Sequence, residues 1–218
     1  MKVCYVILTC EAYQPTRCQL IRDTWLKRIG SADAWFLSAR ANPEARVLGW
    51  NTIDTYDSCP IKYQQFFLNL PGSYDWYVFC DDDTYLFPER LEPLLGDPSR
   101  PQCIGMLARK PDLPPYMAGG PGFLLSSAAV AYLPEACRTI PIQSLYSDVM
   151  IGVWLKDTPT EFIDNPLFFN YPHDHPLGGG DPRTACGYHY VDATHVALYS
   201  HLHSGDTPEA CTTSARTP

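Results

Sequence analysis

Short, almost unbroken apolar runs alternate along the chain with stretches whose apolar residues recur at helical spacing. "VCYVILTC" (3–10) is apolar at nearly every position, the pattern of a strand buried on both faces. After the polar turn "EAYQPT", the segment "TRCQLIRDTWLKRIG" brings Leu20, Ile21, Trp25 and Ile29 near one face. Thr16 is placed to cap this helix and Gly30 to stop it. "AWFLSA" (34–39) and "VLGWNTI" (47–53) predict two more strands, and "IKYQQFFLNL" (61–70) predicts a helix ended by Pro71-Gly72. "DWYVFC" (75–80) predicts a strand that runs straight into Asp81, Asp82 and Asp83. The first 83 residues therefore read β-α-β-β-α-β, an α/β plan with a mainly parallel sheet flanked by helices. In such sheets ligands bind beyond the C-terminal strand ends, which puts Thr9-Cys10 and Asp81–Asp83 on one binding edge.

The second half is less regular. "ERLEPLLG" (89–96) reads as a helix, and the glycines of "YMAGGPGFLLSSAAVAYL" (116–133) precede an apolar helix start. "YSDVMIGVWLKD" (146–157) also reads as helical, and "GYHYVDATHVALYSHL" (187–202) as a last strand and helix. "FNYPHDHPLGGGD" (169–181) is a Pro/Gly/His loop, either a lid or an idle surface segment. The length suits one sizeable domain, expected over 1–203, with a flexible tail or linker over 204–218.

Composition narrows the partners. With 45% hydrophobic and 18% charged residues the chain is of ordinary globular type. A net charge of −8 argues against nucleic acid and anionic membrane, but a bound cation would still admit a phosphorylated small molecule. No run reaches the roughly 18 apolar residues of a membrane-spanning helix. The N-terminal run is short and β-branched without a small-residue cleavage site, so it reads as a core strand. The nine cysteines contain no C-x-x-C pair, and mostly reduced thiols are expected.

The aspartate run is the sharpest chemical feature. Like charges about 5 Å apart repel by roughly 3 kcal/mol at an effective dielectric near 20. Three in a row beside apolar sequence therefore call for full solvation or a cation, and Mg²⁺ or Mn²⁺ suits carboxylate oxygens at a strand end. A haloacid-dehalogenase-type phosphatase also sets D-x-D after a strand, but Tyr85 stands where that pattern has Thr or Val. Gly119, Gly120 and Gly122 form either a turn or a close backbone approach to a ligand. Asp148, ahead of an apolar helix, is either a cap or a functional carboxylate. All six histidines fall between His173 and His203, with no zinc-type spacing to acidic or cysteine partners.

Taken in order, these segments resemble the inverting β1,3-glycosyltransferases of glycosyltransferase family 31, in the Fringe and core-1 galactosyltransferase branch. "RCQLIRDTWLKR" looks like the family's helix ending in R-x-T-W, and "DWYVFCDDDTYL" like its W-[FY]-x(3)-D-D-D-T-Y segment. "DTYDSCPIK" keeps Asp54, Tyr56 and Lys62 of D-x-Y-x-N-L-T-x-K without the Asn-Leu-Thr. "YMAGGPGFLLS" is similar to Y-M-S-G-G-A-G-Y-V-L-S. "YSDVMIG" is similar to E-D-V-x-x-G with Ser147 at the first acid, and "GYHYVD" to F-H-Y-V-D. The matches keep their order over residues 3–192.

The resemblance implies a GT-A fold, a UDP-sugar donor, a Mn²⁺ (or Mg²⁺) ion and a glycan or glycoprotein acceptor. It implies that Asp83 binds the metal with His189, while Asp81 and Asp82 face the ribose and the metal's waters. Thr9, Arg17, Asp54 and Lys62 would surround the nucleotide, Gly119 and Gly120 would lie against the donor sugar, and Asp148 would be the base. The expected setting is cytoplasmic, host cytoplasm for a viral enzyme, or else a Golgi-lumenal catalytic domain without its anchor. Two other readings stay open: a non-catalytic nucleotide-sugar or glycan-binding module, and a Mg-dependent phosphatase.

Overall fold

The computed structural model describes residues 1–29 and 34–203, so the expected stop at Gly30 and the tail 204–218 lie outside the described residues. The strands are β1 (Val3–Leu8), β2 (Ala34–Ser38), β3 (Val47–Gly49), β4 (Trp76–Asp81), β5 (Tyr85–Leu86) and β6 (Gln102–Gly105). They continue as β7 (Leu107–Ala108), β8 (Tyr116–Met117), β9 (Phe123–Ser126), β10 (Glu161–Asp164), β11 (Phe168–Phe169) and β12 (Gly187–Tyr188). The α-helices are α1 (Gln19–Asp23), α2 (Cys59–Leu68), α3 (Pro88–Leu91), α4 (Ser127–Val130), α5 (Leu133–Thr139), α6 (Ser147–Leu155) and α7 (Ala193–His203).

Seven strands form the central sheet in the order β10-β6-β9-β4-β1-β2-β3. Only β9 runs against its neighbours, pairing antiparallel with both β4 and β6, so the sheet is mixed and mainly parallel. The unbroken apolar runs have a simple physical basis. Cys4, Val6 and Leu8 of β1 and Tyr77 and Phe79 of β4 point into one apolar cluster with α2, α5 and α6. Tyr5 and Ile7, with Trp76, Val78 and Cys80, point into the other, with Trp25, Leu91 and Tyr199. A strand covered on both faces has no position for a polar residue until it leaves the core. On β4 that point is Asp81.

The expected helix over 16–30 is instead broken into three segments, with a further turn ahead of them. A 3-10 turn (Glu11–Tyr13) and a π-type turn (Gln14–Cys18) lead into α1, and a second 3-10 turn (Trp25–Arg28) follows it. Pro15 lacks the amide hydrogen a regular helix needs. At Thr24 the backbone leaves helical geometry (φ −118°, ψ −109°) and its hydroxyl donates to the Leu20 carbonyl. That break drops the Trp25 ring into the core, where its indole N–H donates to the Thr84 carbonyl, 3.2 Å away.

The second half departs further from expectation. The glycines at 119–122 lead into β9, a strand, and α4 begins only after it. Phe123 and Leu125 face one cluster and Leu124 the other, so the run is apolar because it is central, not because it is helical. The helix expected at 89–96 is the single α-turn α3 followed by a 3-10 turn, since Pro93 interrupts it. The eight cysteines among the described residues are free thiols, and no described helix is long and apolar enough to cross a membrane.

Candidate active site

The register of the central strands sets the first half of the site. Leu8 pairs with Asp81, so Thr9 and Asp82 leave the sheet side by side. The Thr9 hydroxyl donates to Asp82 at 2.7 Å, and Arg17, carried by the π-type turn, donates to the same carboxylate at 2.8 Å. Asp82 is 7% exposed. Burial pushes its pKa up against those two hydrogen bonds, which lower it. Arg17 also reaches Asp83 at 3.2 Å and lies over the Tyr13 ring at 4.0 Å.

Lys62, on α2, is buried with its charge engaged inward. Its ammonium donates to the Thr9 carbonyl at 2.8 Å and to Asp54 at 2.6 Å, while the other Asp54 oxygen accepts the Glu11 amide at 2.5 Å. Asp54 and Lys62 thus clamp the chain where β1 ends, holding Thr9 in place from behind. A cavity of about 570 Å³ opens beside this clamp, lined by Glu11, Gln14, Arg40, Asn42 and Glu44.

The other half comes from a strand pair a hundred residues apart in sequence. β12 runs antiparallel to β5, with Tyr188 opposite Tyr85, so His189 lands opposite the end of the aspartate run. The Val191 amide donating to the Asp83 carbonyl closes the ladder. His189 Nε2 then stands 3.1 Å from Asp83 and 3.7 Å from Asp81. One donor atom from each of Asp81, Asp83 and His189 lies within 4.8 Å of the others, so these three face one point while Asp82 faces away to Thr9.

The donor set of two carboxylates and one imidazole has the chemistry of a divalent-cation site. Its electrostatics fit as well. Burial first, then the neighbouring aspartates, push Asp81 up to about 7 against the pull of His189. Asp83 is held below its ordinary value: burial opposes this, but the hydrogen bond and charge of His189 and the charge of Arg17 prevail. A cation among them would relieve that repulsion.

Gly120 and Thr84 hold the histidine in place. A Cβ on Gly120 would lie 2.0 Å from His189 Nδ1, so only glycine lets the ring seat there. The Thr84 hydroxyl donates to the Gly120 carbonyl at 2.5 Å and fixes that glycine. Gly119, one residue earlier, donates its amide to Asp148 at 3.1 Å. Asp148 sits in the first turn of α6 and also accepts the Val149 amide at 2.8 Å. It is not the N-cap, a position held by Tyr146. Burial raises its pKa despite both amides. A partly buried carboxylate with a raised pKa has the properties of a general base.

Thr9, Arg17, Asp54, Lys62, the three aspartates, Gly119, Gly120, Asp148 and His189 thus gather at one edge of the sheet. Sequence reasoning missed the part played by Thr84, although its place directly after the aspartates was a signal, and it missed Tyr190. That residue takes a left-handed conformation (φ 55°) and stacks on His189 at 3.7 Å between ring centroids. Tyr171 and His175 extend the stack. They line a cavity of about 380 Å³ with Asp174 and His195. The 169–181 loop is tied down over this region: Tyr199 meets His173 and Asp174 pairs with His195.

Residues 2–169 match the profile of the Fringe-like family. Among solved structures the fold is similar to galactosyltransferase LgtC in complex with donor and acceptor sugar analogs. That likeness has a TM-score of 0.52 at 13% identity and covers 94% of this chain and 97% of that one. It is also similar to the glycosyltransferase GlyE of Streptococcus pneumoniae TIGR4, with a TM-score of 0.54 at 10% identity over 93% of this chain and 60% of that one. At such identities the likeness speaks for the architecture, which is the GT-A fold, while the profile match covers most of the chain. This chain belongs to the Fringe-like family and is a glycosyltransferase.

Proposed function

We propose that the protein transfers a hexose from a UDP-sugar to a hydroxyl of a glycan or glycoprotein acceptor, with inversion to a β-linkage. The observation that carries this reading is a pair of sites joined through Gly119-Gly120: the Asp81/Asp83/His189 cluster and the partly buried carboxylate of Asp148. Inversion needs a base on one side of the anomeric carbon and leaving-group stabilisation on the other. A binding module would have no use for a base, and a phosphatase is disfavoured by Tyr85 standing where its D-x-D pattern has Thr or Val.

In this reading Asp83 and His189, with Asp81 beside them, would hold Mn²⁺ or Mg²⁺. When bound, the ion supplies positive charge against the departing diphosphate. Asp82, held by Thr9 and Arg17, faces the ribose. The cavity beside the Asp54–Lys62 clamp receives the nucleobase, and the donor sugar lies near Gly119 and Gly120, whose missing side chains make room for Asp148 and His189. The acceptor oxygen bonds to the anomeric carbon as the bond from that carbon to the β-phosphate oxygen breaks. The electron pair leaves with UDP, and Asp148 takes the acceptor's proton. The domain is residues 1–203, and the free thiols favour a reducing, cytoplasmic setting.

The test is UDP release from a panel of UDP-sugars with Mn²⁺, on wild type and Asp148→Asn. Release by wild type that stops with EDTA and falls in the variant is expected. Wild type that binds UDP-sugar yet never turns over with any acceptor would make the protein a binding module instead.

A further inference from the structure

Two tyrosines near Asp148 are exposed without an obvious structural task. Tyr56 and Tyr146 are 68% and 58% exposed, and their rings meet edge to face with centroids 6.3 Å apart. Each is set by a functional element. Tyr146 is the residue from which α6 starts, two positions before Asp148, and Tyr56 opens the 3-10 turn that follows Asp54 and leads into α2. Leu145, next to Tyr146, and Ile53, three residues before Tyr56, are exposed as well. The Tyr56 phenol is raised above its ordinary value, by partial burial first and then by the charges of Asp81, Cys59 and Asp148.

Exposed aromatic rings in contact with each other but not with a core mark a surface kept for a partner. Here the partner's reacting atom must reach Asp148. From the contact of these rings at the start of α6, whose first turn carries Asp148, we infer that Tyr56 and Tyr146 form the acceptor platform, and that its occupant is an uncharged pyranose. A sugar ring stacked by its C–H face leaves its hydroxyls at the ring edge, where one can meet the carboxylate. The concentration of carboxylates at Asp81, Asp82, Asp83 and Asp148 disfavours sulfated or sialylated rings. The inference rests on the transferase reading for its choice of Asp148 as base, yet it can be tested by binding alone.

Saturation-transfer NMR of the full chain with Mn²⁺ and UDP supplies that test, using neutral methyl hexosides, methyl N-acetylhexosaminides, a sialoside and a Ser/Thr peptide. Wild type is expected to bind at least one neutral glycoside and not the sialoside. Tyr56→Ala and Tyr146→Ala should each weaken that binding on the order of fivefold, and Tyr56→Phe and Tyr146→Phe should keep it. The thermal shift produced by Mn²⁺ and UDP on the same samples verifies that each variant is folded. Glycoside binding indifferent to both alanine variants overturns the platform, as does binding of the peptide or the sialoside alone, or no binding at all. Tyrosine-dependent glycoside binding in a protein that releases no UDP from any donor would uphold the platform while sinking the transferase reading.

Discussion

Asp148 is placed at a disadvantage by the fold. Burial lifts its pKa above the ordinary 3.8, against the Gly119 and Val149 amides. A carboxyl raised in the folded state adds stability below its unfolded pKa, and that contribution is lost as pH rises through the folded value. At neutral pH the ionised group therefore strains the fold, and Asp148→Asn removes the strain. We expect Asp148→Asn to lower transfer at least about a hundredfold with an unchanged or raised Tm. Wild-type transfer should rise with pH through a step above 3.8 that the variant's residual rate lacks. A variant that loses Tm and keeps its rate contradicts this assignment. Gly120→Ala makes a separate case, since its Cβ would collide with His189. Titration calorimetry should show Mn²⁺ affinity falling by about tenfold or more, as when the support of a ligand is lost, while circular dichroism stays unchanged.

Among the elements, β1 and β4 were legible because two-sided burial leaves an unbroken apolar run, and Asp81 marks where that burial ends. A strand opening the 187–202 segment was legible as well and is β12, but the two-residue β5 and its pairing with β12, which carries His189 to Asp83, were not. The broken 11–28 segment was hidden for another reason: helical spacing survives in its pieces, while Pro15 and Thr24 change the backbone between them. β9 could not be told from a buried helix by periodicity, because both are continuously apolar. The Asp54–Lys62 clamp gives this scale its prediction. Lys62→Met leaves Asp54 and the Thr9 carbonyl without their buried cation. Stability should fall on the order of 2 kcal/mol in urea titration, less than for a fully buried pair because Asp54 is partly exposed. A variant as stable as wild type would mean that the clamp is not structural.

For the molecule as a whole, the family and the α/β plan could be read from motifs kept in order over most of the chain. The candidate residues were named there too, with Asp83 paired to His189, but not the division of the other aspartates: register decides that Asp81 joins Asp83 and His189 while Asp82 turns to Thr9 and Arg17. A net charge of −8 concentrated partly at this edge makes cation binding a whole-molecule effect. Mn²⁺ with UDP should stabilise the fold by about 2.7 kcal/mol at a hundredfold excess over Kd. EDTA should abolish the effect, and an unchanged Tm with Mn²⁺ and UDP would contradict the cation site. The most direct test of the central claim is proton NMR of the anomeric centre during turnover with Mn²⁺ and an α-linked UDP-sugar. The account predicts that the first product formed is the β-anomer, appearing together with UDP. An α-linked product would contradict it.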